Sequence, residues 1–265
     1  PYRFNGKELD EETGLYYYGA RYMNPRLSIW YATDGLQEKY PQISSYAYCV
    51  DNPVKLIDTD GNKIIFINGK IGGGSPQAGK SYWGGDNSSF VSGAKEYFKD
   101  NHVAYTDKDY GYLSSSASRT RQGYEYAKNH YQDWISDMDK DETFKLVSHS
   151  MGGAFAKGIE NYIKEQGRKV DYNVMINTYQ VNSIDNQNST DTYYIDYQNT
   201  DDPVLFWFDL NLGYGKLKNA DAVIREESNQ EGLLYKHRSP IDRGKIFWDT
   251  LNEKINKKAT STKKK

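Results

Sequence analysis

One segment near the middle of the chain constrains the fold more than any other. A short apolar run at Phe144, Leu146 and Val147 is typical of a buried strand. Ser150 follows this run among small residues, and apolar side chains then recur at the spacing of an amphipathic helix. Gly167 stands where glycine commonly ends a helix. The sequence therefore predicts a strand, a sharp turn with a central serine, and a helix.

A serine on such a turn has a chemical consequence. The turn exposes its hydroxyl at the carboxyl edge of a sheet, and the N-terminus of the helix below favours developing negative charge. Residues 148–156, SHSMGGAFA, resemble the GHSMGG nucleophile elbow of lipases, which have the α/β-hydrolase fold; Ser148 replaces the usual first glycine. An ordinary Ser/Gly turn is the alternative, so the rest of the chain must supply the other catalytic groups.

The sequence around this segment alternates between strand-like and helix-like patterns. This alternation predicts an α/β fold, an α/β-hydrolase with a mostly parallel central sheet and right-handed crossovers. Strands are predicted at 63–67, 102–105, 144–147, 172–176 and 192–197, and helices at 90–97, 119–138, 152–166 and 244–255.

The order of catalytic residues in α/β-hydrolases, serine then acid then histidine, points to two further residues. Asp202 begins an Asp-Pro-Val that follows a predicted strand and resembles the acid position of lipases, and its neighbour Asp201 stays an alternative. His237 is the only histidine after the acid and is the predicted base. Both groups are expected in loops. His149 lies inside the elbow, is expected to point away from Ser150, and is not a candidate.

Two backbone amides are predicted to form an oxyanion hole. The comparable strand of lipases ends in His-Gly, and the next amide binds the oxyanion; here Lys70 occupies that place, with Met151 as the second donor. The stretch 72–76 lacks the arrangement of a phosphate-binding loop and is expected to be a mobile loop over the site. The apolar stretch 204–212 is either a lid that contacts lipid or a buried wall of the core, and the sequence leaves both open.

Residues 1–62 have a composition of their own, rich in Tyr, Gly, Asn and Pro, which predicts short strands and turns. This segment resembles the carboxyl-terminal end of the core of rearrangement-hotspot (Rhs) and YD-repeat proteins. The matching stretches include Phe4–Glu8, Thr13–Tyr18, Ala20–Tyr22, Pro25–Arg26 and Asn52–Val54.

The Rhs resemblance implies a β-shell remnant followed by a toxin or effector domain, which many such proteins release by self-cleavage at an aspartate. The corresponding Asp34, Asp58 and Asp60 lack the neighbouring prolines, and turn chemistry is the favoured interpretation of all three. The resemblance also implies export to a target cell and a cognate immunity protein. Because the chain begins without methionine, we expect it to be the carboxyl-terminal piece of a longer protein.

Composition excludes several classes of function. A net charge of −2 gives no field for nucleic acid, and the single cysteine, Cys49, allows neither an internal disulfide nor a cysteine metal site. No cofactor or metal is predicted. No apolar run reaches the roughly 18 residues of a transmembrane helix. The lysine-rich residues 257–265 are expected to be a disordered tail, with contact to a membrane surface as a minority interpretation.

Together these patterns predict an Rhs-related segment at 1–62, a lipase-like α/β-hydrolase domain at 63–256 and a basic tail at 257–265. The predicted function is a serine hydrolase of lipase or phospholipase type, acting as an exported effector on a lipid or ester substrate. The alternatives are an esterase, amidase or acyltransferase on a non-lipid substrate, and a non-catalytic binding module with this fold.

Overall fold

The computed structural model describes residues 8–17, 21–33, 44, 46, 62–71, 78–111, 113–138, 142–185, 191–207, 215–228 and 230–262. The chain divides into two compact units, residues 1–60 and 61–265. Among the helices of the described residues, none combines the length and apolar character that crossing a membrane requires.

The first unit contains a small antiparallel sheet, and it confirms the predicted strands and turns. Its four strands follow one another in chain order. Tyr16, Met23 and Trp30 are buried together on one face, whereas Tyr17 and Tyr22 are exposed on the other. The strands are β1 (Glu8–Asp10), β2 (Leu15–Tyr17), β3 (Tyr22–Asn24) and β4 (Ile29–Trp30).

The second unit is built on a six-stranded sheet in which every neighbouring pair of strands is parallel, as predicted. Its strands are β5 (Lys63–Ile67), β6 (His102–Thr106), β7 (Phe144–His149), β8 (Val170–Ile176), β9 (Tyr193–Asn199) and β10 (Ala222–Glu226). They lie in the order β10-β9-β8-β7-β5-β6.

Helices cover both faces of this sheet, because successive residues of a buried strand point to opposite sides. The helices are α1 (Ser89–Phe98), α2 (Ser116–Ile135), α3 (Gly152–Glu165), α4 (Pro203–Trp207), α5 (Leu233–Asp242) and α6 (Lys245–Thr262). Ile64 and Phe66 of β5 join one apolar cluster with side chains of α1 and α6, and Ile65 and Ile67 join another with side chains of α2 and α3.

The path of the chain across the sheet locates the candidate site. From β5 the chain first moves to one side, to β6, and then crosses to the other side for β7 and the strands after it. In open parallel sheets, ligands bind outside the carboxyl ends of the strands at such a reversal. The carboxyl ends of β5 and β7 carry the stretch 68–70 and Ser150.

Two expectations about the carboxyl-terminal part were wrong. His237 lies on helix α5 rather than in a loop. Pro240 lies inside this helix, and proline usually indicates a helix end, which hid α5 in the sequence. Residues 257–262 continue α6 instead of starting a disordered tail, and Lys257 pairs with Glu253 one turn earlier in this helix.

Candidate active site

Ser150 has the backbone conformation of a sharp turn between β7 and α3. Its φ is 56°, in the left-handed region that non-glycine residues rarely adopt. Its amide donates to the carbonyl of Ile176 at 2.9 Å, and its carbonyl accepts from the amide of Tyr179 at 3.1 Å. A strained serine held by neighbouring backbone is what a nucleophile elbow requires.

Gly152 and Gly153, which follow the serine turn, lie too close to neighbouring atoms to carry a side chain. A Cβ on Gly152 would lie 2.5 Å from the carbonyl oxygen of Asn68, and one on Gly153 would lie 2.3 Å from Thr178 Cγ2. Real Cβ atoms do not approach so closely. The small residues of the motif therefore allow the start of α3 to pack against the ends of the neighbouring strands.

The structure brings two of the predicted catalytic side chains together. His237 Nδ1 lies 2.5 Å from Asp202 Oδ2, and both residues are buried. Because the carboxylate accepts, the imidazole donates from Nδ1. Its Nε2 is buried and has no hydrogen-bond partner within the described part of the chain. The imidazole is thus held on one side and has an unengaged nitrogen on the other.

Ser150 lies at the same edge of the sheet as this pair, but no hydrogen bond joins its Oγ to His237 Nε2. The centres of the His149 and His237 rings are 4.6 Å apart, and His149 directly precedes Ser150 in the chain. Catalytic hydrogen bonds are often long before substrate binds and tighten in the complex. The structure therefore places the three side chains in one region without showing the serine–histidine bond itself.

Asp201 was the other candidate for the acid, and it faces different partners. Its carboxylate accepts from the amide of Ser228 at 2.7 Å and from the hydroxyl of Ser228 at 2.6 Å, and it pairs with Lys236 at 3.1 Å. Burial acts to raise the pKa of Asp201, but the hydrogen bonds from Ser228 and Lys236 outweigh it and lower the pKa. Asp202, and not Asp201, is the partner of His237.

Sequence reasoning missed the residues that hold the backbone of His237. Its carbonyl accepts from Asn177 Nδ2 at 2.8 Å and lies 2.9 Å from His149 Nε2. Asn199 Nδ2 donates to the carbonyl of Lys236 at 2.8 Å, and the backbone amide of Asn199 donates to Asn177 Oδ1 at 2.7 Å. The available signal was an asparagine at the carboxyl end of each of two strands, β8 and β9, at the predicted site edge.

The loop after β5 is fixed by a buried asparagine. Asn68 Nδ2 donates to the carbonyls of Gly69 and Lys108 at 2.8 and 2.7 Å, and Asn68 Oδ1 accepts from the hydroxyl of Thr106 at 3.1 Å. The ammonium of Lys70 pairs with Asp109 at 2.6 Å. The hydrogen bonds of Asn68 and the ion pair between Lys70 and Asp109 therefore fix the loop that carries the Lys70 amide at the carboxyl edge, beside the turn that carries Met151.

Some predicted features fall wholly or partly outside the described residues. These are the loop 72–76, most of the apolar stretch 204–212, and the aspartates at 34, 58 and 60. The described part of 204–212 belongs to α4, where Leu205 is buried. Within the described ranges, no group of three or more His, Cys, Asp or Glu side chains could hold a metal ion.

Known proteins that resemble this sequence match only part of the chain, and no protein-family model matches it. The tRNA nuclease WapA of Bacillus subtilis (strain 168) is 42% identical over 69 residues, which is 25% of this chain and 3% of WapA. Salivary gland surface protein 1 of Aedes aegypti is 36% identical over 66 residues, 25% of this chain and 2% of that protein. The chain thus spans only a few per cent of these relatives' length, and a match of this extent fits an Rhs-related segment.

The all-parallel sheet, the helices on both of its faces and the turn at Ser150 decide the fold of the second unit. It is an α/β-hydrolase fold. Solved structures that resemble the chain at low identity include the Francisella virulence factor BioJ, with a TM-score of 0.43, 13% identity and coverage of 76% of this chain and 78% of that one. Alpha/beta hydrolase domain-containing protein 10 from mouse has a TM-score of 0.34 and 12% identity, covering 74% and 90%.

Proposed function

We propose that this chain is a serine hydrolase that cleaves carboxylic esters. The observation that carries the proposal is the buried pair of His237 and Asp202, whose unengaged Nε2 lies at the sheet edge that also carries Ser150. A nucleophile, a base and a group that orients the base are the three parts of such a site.

The proposed reaction uses these groups in turn. His237 Nε2 takes the proton of the Ser150 hydroxyl as its oxygen attacks the ester carbonyl, and Asp202 stabilises the imidazolium that forms. The backbone amides of Met151 and Lys70 bind the oxyanion. The imidazolium then protonates the departing alcohol, leaving an acyl group on Ser150. Water, deprotonated by His237, releases the acid and restores the serine.

For the substrate we propose a lipid ester, cut at a membrane surface. The support is the resemblance of SHSMGG and Asp202-Pro203-Val204 to lipases, together with the apolar stretch 204–212 beside the proposed acid. A soluble ester, an amide or an acyl acceptor other than water could use the same residues, and the experiment below separates these substrates.

We further propose that the chain acts as an exported toxin that is neutralised in its producer by an immunity protein. The Rhs resemblance and the partial match to WapA support this setting. We do not extend the tRNA-directed activity named for WapA to this chain, because the match covers 25% of it and the proposed site is built from serine, histidine and aspartate.

The experiment measures fatty-acid release from phospholipid vesicles alongside hydrolysis of a short-chain soluble ester. Ser150→Ala should abolish both activities. Ser148→Ala is the matched control, because this buried hydroxyl bonds the carbonyl of Val174 at 3.3 Å, and it should leave activity close to that of the parent. Turnover of the soluble ester alone would exclude the lipid proposal. Equal turnover by the parent and Ser150→Ala would exclude Ser150 as the nucleophile.

A further inference from the structure

A line of hydrogen bonds runs behind the proposed catalytic residues. The hydroxyl of Tyr82 lies 2.5 Å from His149 Nδ1, and His149 Nε2 lies 2.9 Å from the carbonyl oxygen of His237. Tyr82 and His149 are 3% and 1% exposed, so water does not compete for these bonds. The proposed mechanism uses neither side chain.

The direction of each bond follows from the groups involved. A carbonyl oxygen can only accept, so His149 donates to it from Nε2. Burial, and secondly the nearby His237, hold the pKa of His149 well below its ordinary value, so its imidazole is neutral. A neutral imidazole with its proton on Nε2 can only accept at Nδ1, and the hydroxyl of Tyr82 is therefore the donor there.

The same hydroxyl also contacts the loop of the proposed oxyanion hole. A Cβ on Gly69 would lie 2.6 Å from the Tyr82 oxygen, 2.9 Å from Ser150 Cβ and 3.2 Å from His149 Nδ1. Burial raises the pKa of Tyr82 to about 12, while Arg238 and a hydrogen bond with the Gly69 backbone act against the rise. Gly69 directly precedes Lys70, so the loop, the elbow and His149 meet at one point.

The ring of Tyr82 is itself held in place. The guanidinium of Arg238 lies 4.9 Å from the centre of this ring, and Arg238 Nη2 donates to the Tyr82 carbonyl at 3.1 Å. Arg238 follows His237 directly in α5. The helix that carries the proposed base is thus connected to Tyr82 by Arg238 and to His149 by the His237 carbonyl.

We propose that Tyr82 and His149 are positioning residues that set the place of the His237 imidazole relative to Ser150 and to the Lys70 loop. The inference rests on the proposed function, because it explains how the proposed base is held in position relative to the serine. In the absence of the Tyr82 hydroxyl, the His149 proton could move to Nδ1. Its Nε2 would then face the His237 carbonyl as a second acceptor, and the two would repel.

Substitution of His149 separates the two bonds. His149→Gln keeps an amide donor near the Nε2 position for the His237 carbonyl, whereas His149→Asn keeps only an acceptor near the Nδ1 position for Tyr82. If the bond to His237 positions the base, the rate of labelling by a fluorophosphonate should be about tenfold lower in the Asn variant than in the Gln variant, a barrier difference of about 1.4 kcal/mol. Equal rates in two folded variants would overturn the inference.

Tyr82 has a matched control in Tyr110. Both tyrosines are buried, but the hydroxyl of Tyr110 has no hydrogen-bond partner among the residues that the structure describes. Tyr82→Phe should slow labelling about tenfold, the size expected when one buried hydrogen bond is lost, and Tyr110→Phe should leave the rate unchanged. Similar rates in the two variants would count against a role for Tyr82.

A spectroscopic measurement keeps this inference separate from the proposed function. The chain has four histidines, so ¹⁵N-histidine labelling gives a simple NMR spectrum. The signal to follow is the deshielded proton that His237 Nδ1 donates to Asp202. It is assigned by its disappearance in the Asp202→Asn variant. Tyr82→Phe should shift or broaden this signal, and Tyr110→Phe should not. If the parent does not react with the fluorophosphonate, the proposed function is wrong, and the positioning role is then tested by the spectra alone. A proton signal that neither Tyr82→Phe nor Tyr110→Phe changes would overturn the inference.

Discussion

At the scale of single residues, the chemistry proposed for the site depends on which atom of each side chain is already engaged. His237 uses Nδ1 for Asp202, which leaves Nε2 facing the site. Asp201 differs from Asp202 by one position in the chain but is engaged with Ser228 and Lys236. Two adjacent carboxylates therefore have different partners, and substitution can separate their proposed roles.

Asp202→Asn should lower the rate of serine acylation by about 10³- to 10⁴-fold, the size of effect known when the acid of a serine–histidine–acid set is neutralised. An asparagine amide cannot stabilise the imidazolium and allows the wrong tautomer of His237. Asp201→Asn is the control and should change the rate only a few-fold, because a partly exposed ion pair contributes about 1 kcal/mol or less. Burst kinetics with an activated ester measure both rates; a larger loss in the Asp201 variant would contradict the assignment.

At the scale of elements, the elbow helix α3 is held against α2 by contacts that leave no room for side chains. A Cβ on Gly158 of α3 would lie 1.9 Å from the carbonyl oxygen of Thr120, and one on Gly123 of α2 would lie 2.0 Å from the carbonyl oxygen of Phe155. These glycines set the distance between the two helices. α3 begins two residues after Ser150, so the same close contact holds the helix that follows the serine.

Gly158→Ala should destabilise the protein by about 1–3 kcal/mol, the usual cost of overpacking a close contact. Gly111→Ala is the matched control: its Cβ would meet no atom of the described residues within 4 Å, so its effect should stay within about 0.5 kcal/mol. Denaturant unfolding of both variants measures the difference. Equal stability would mean that α2 and α3 are not in such close contact.

The elements and the proposed triad were predictable from sequence to different degrees. Ser150 and Asp202 could be identified because each lies within a few residues of a recognisable strand. The contacts of His149 and Asn177 could not be predicted, because their shared partner, the His237 carbonyl, lies 88 and 60 residues away in sequence. Strand β10 and helix α5 were missed because the apolar run of β10 is only three residues long, followed by Arg225 and Glu226, and because α5 contains a proline.

At the scale of the whole molecule, several buried groups connect stability to pH, and two of them, Glu160 and His149, act in the same direction. Burial acts to raise the pKa of Glu160, but Lys157, Tyr194 and Lys164 outweigh it and hold the pKa at about 2, below the ordinary 4.5. Burial keeps the pKa of His149 well below 6.5. Both groups therefore bind fewer protons in the folded than in the unfolded chain, so acid favours unfolding.

The free energy of unfolding should fall in two stages as the pH is lowered. His149 contributes stability above about pH 6.5 that is lost progressively below it, and Glu160 contributes stability that is lost from about pH 4.5 towards pH 2. Glu160→Gln should make the second stage smaller and leave the first unchanged. Denaturant unfolding across this pH range measures both stages, and a stability that stays constant between pH 7 and pH 5 would contradict the buried neutral state of His149.

The central claim is that Ser150 is a nucleophile activated by His237, and covalent labelling tests it most directly. The folded protein is treated with a fluorophosphonate, digested, and searched by mass spectrometry for the modified peptide. We predict one adduct, on Ser150, that disappears in Ser150→Ala and forms far more slowly in His237→Ala, while Ser148→Ala is labelled like the parent. An adduct that persists in a folded Ser150→Ala variant, or a folded parent that takes up no label, would contradict the claim.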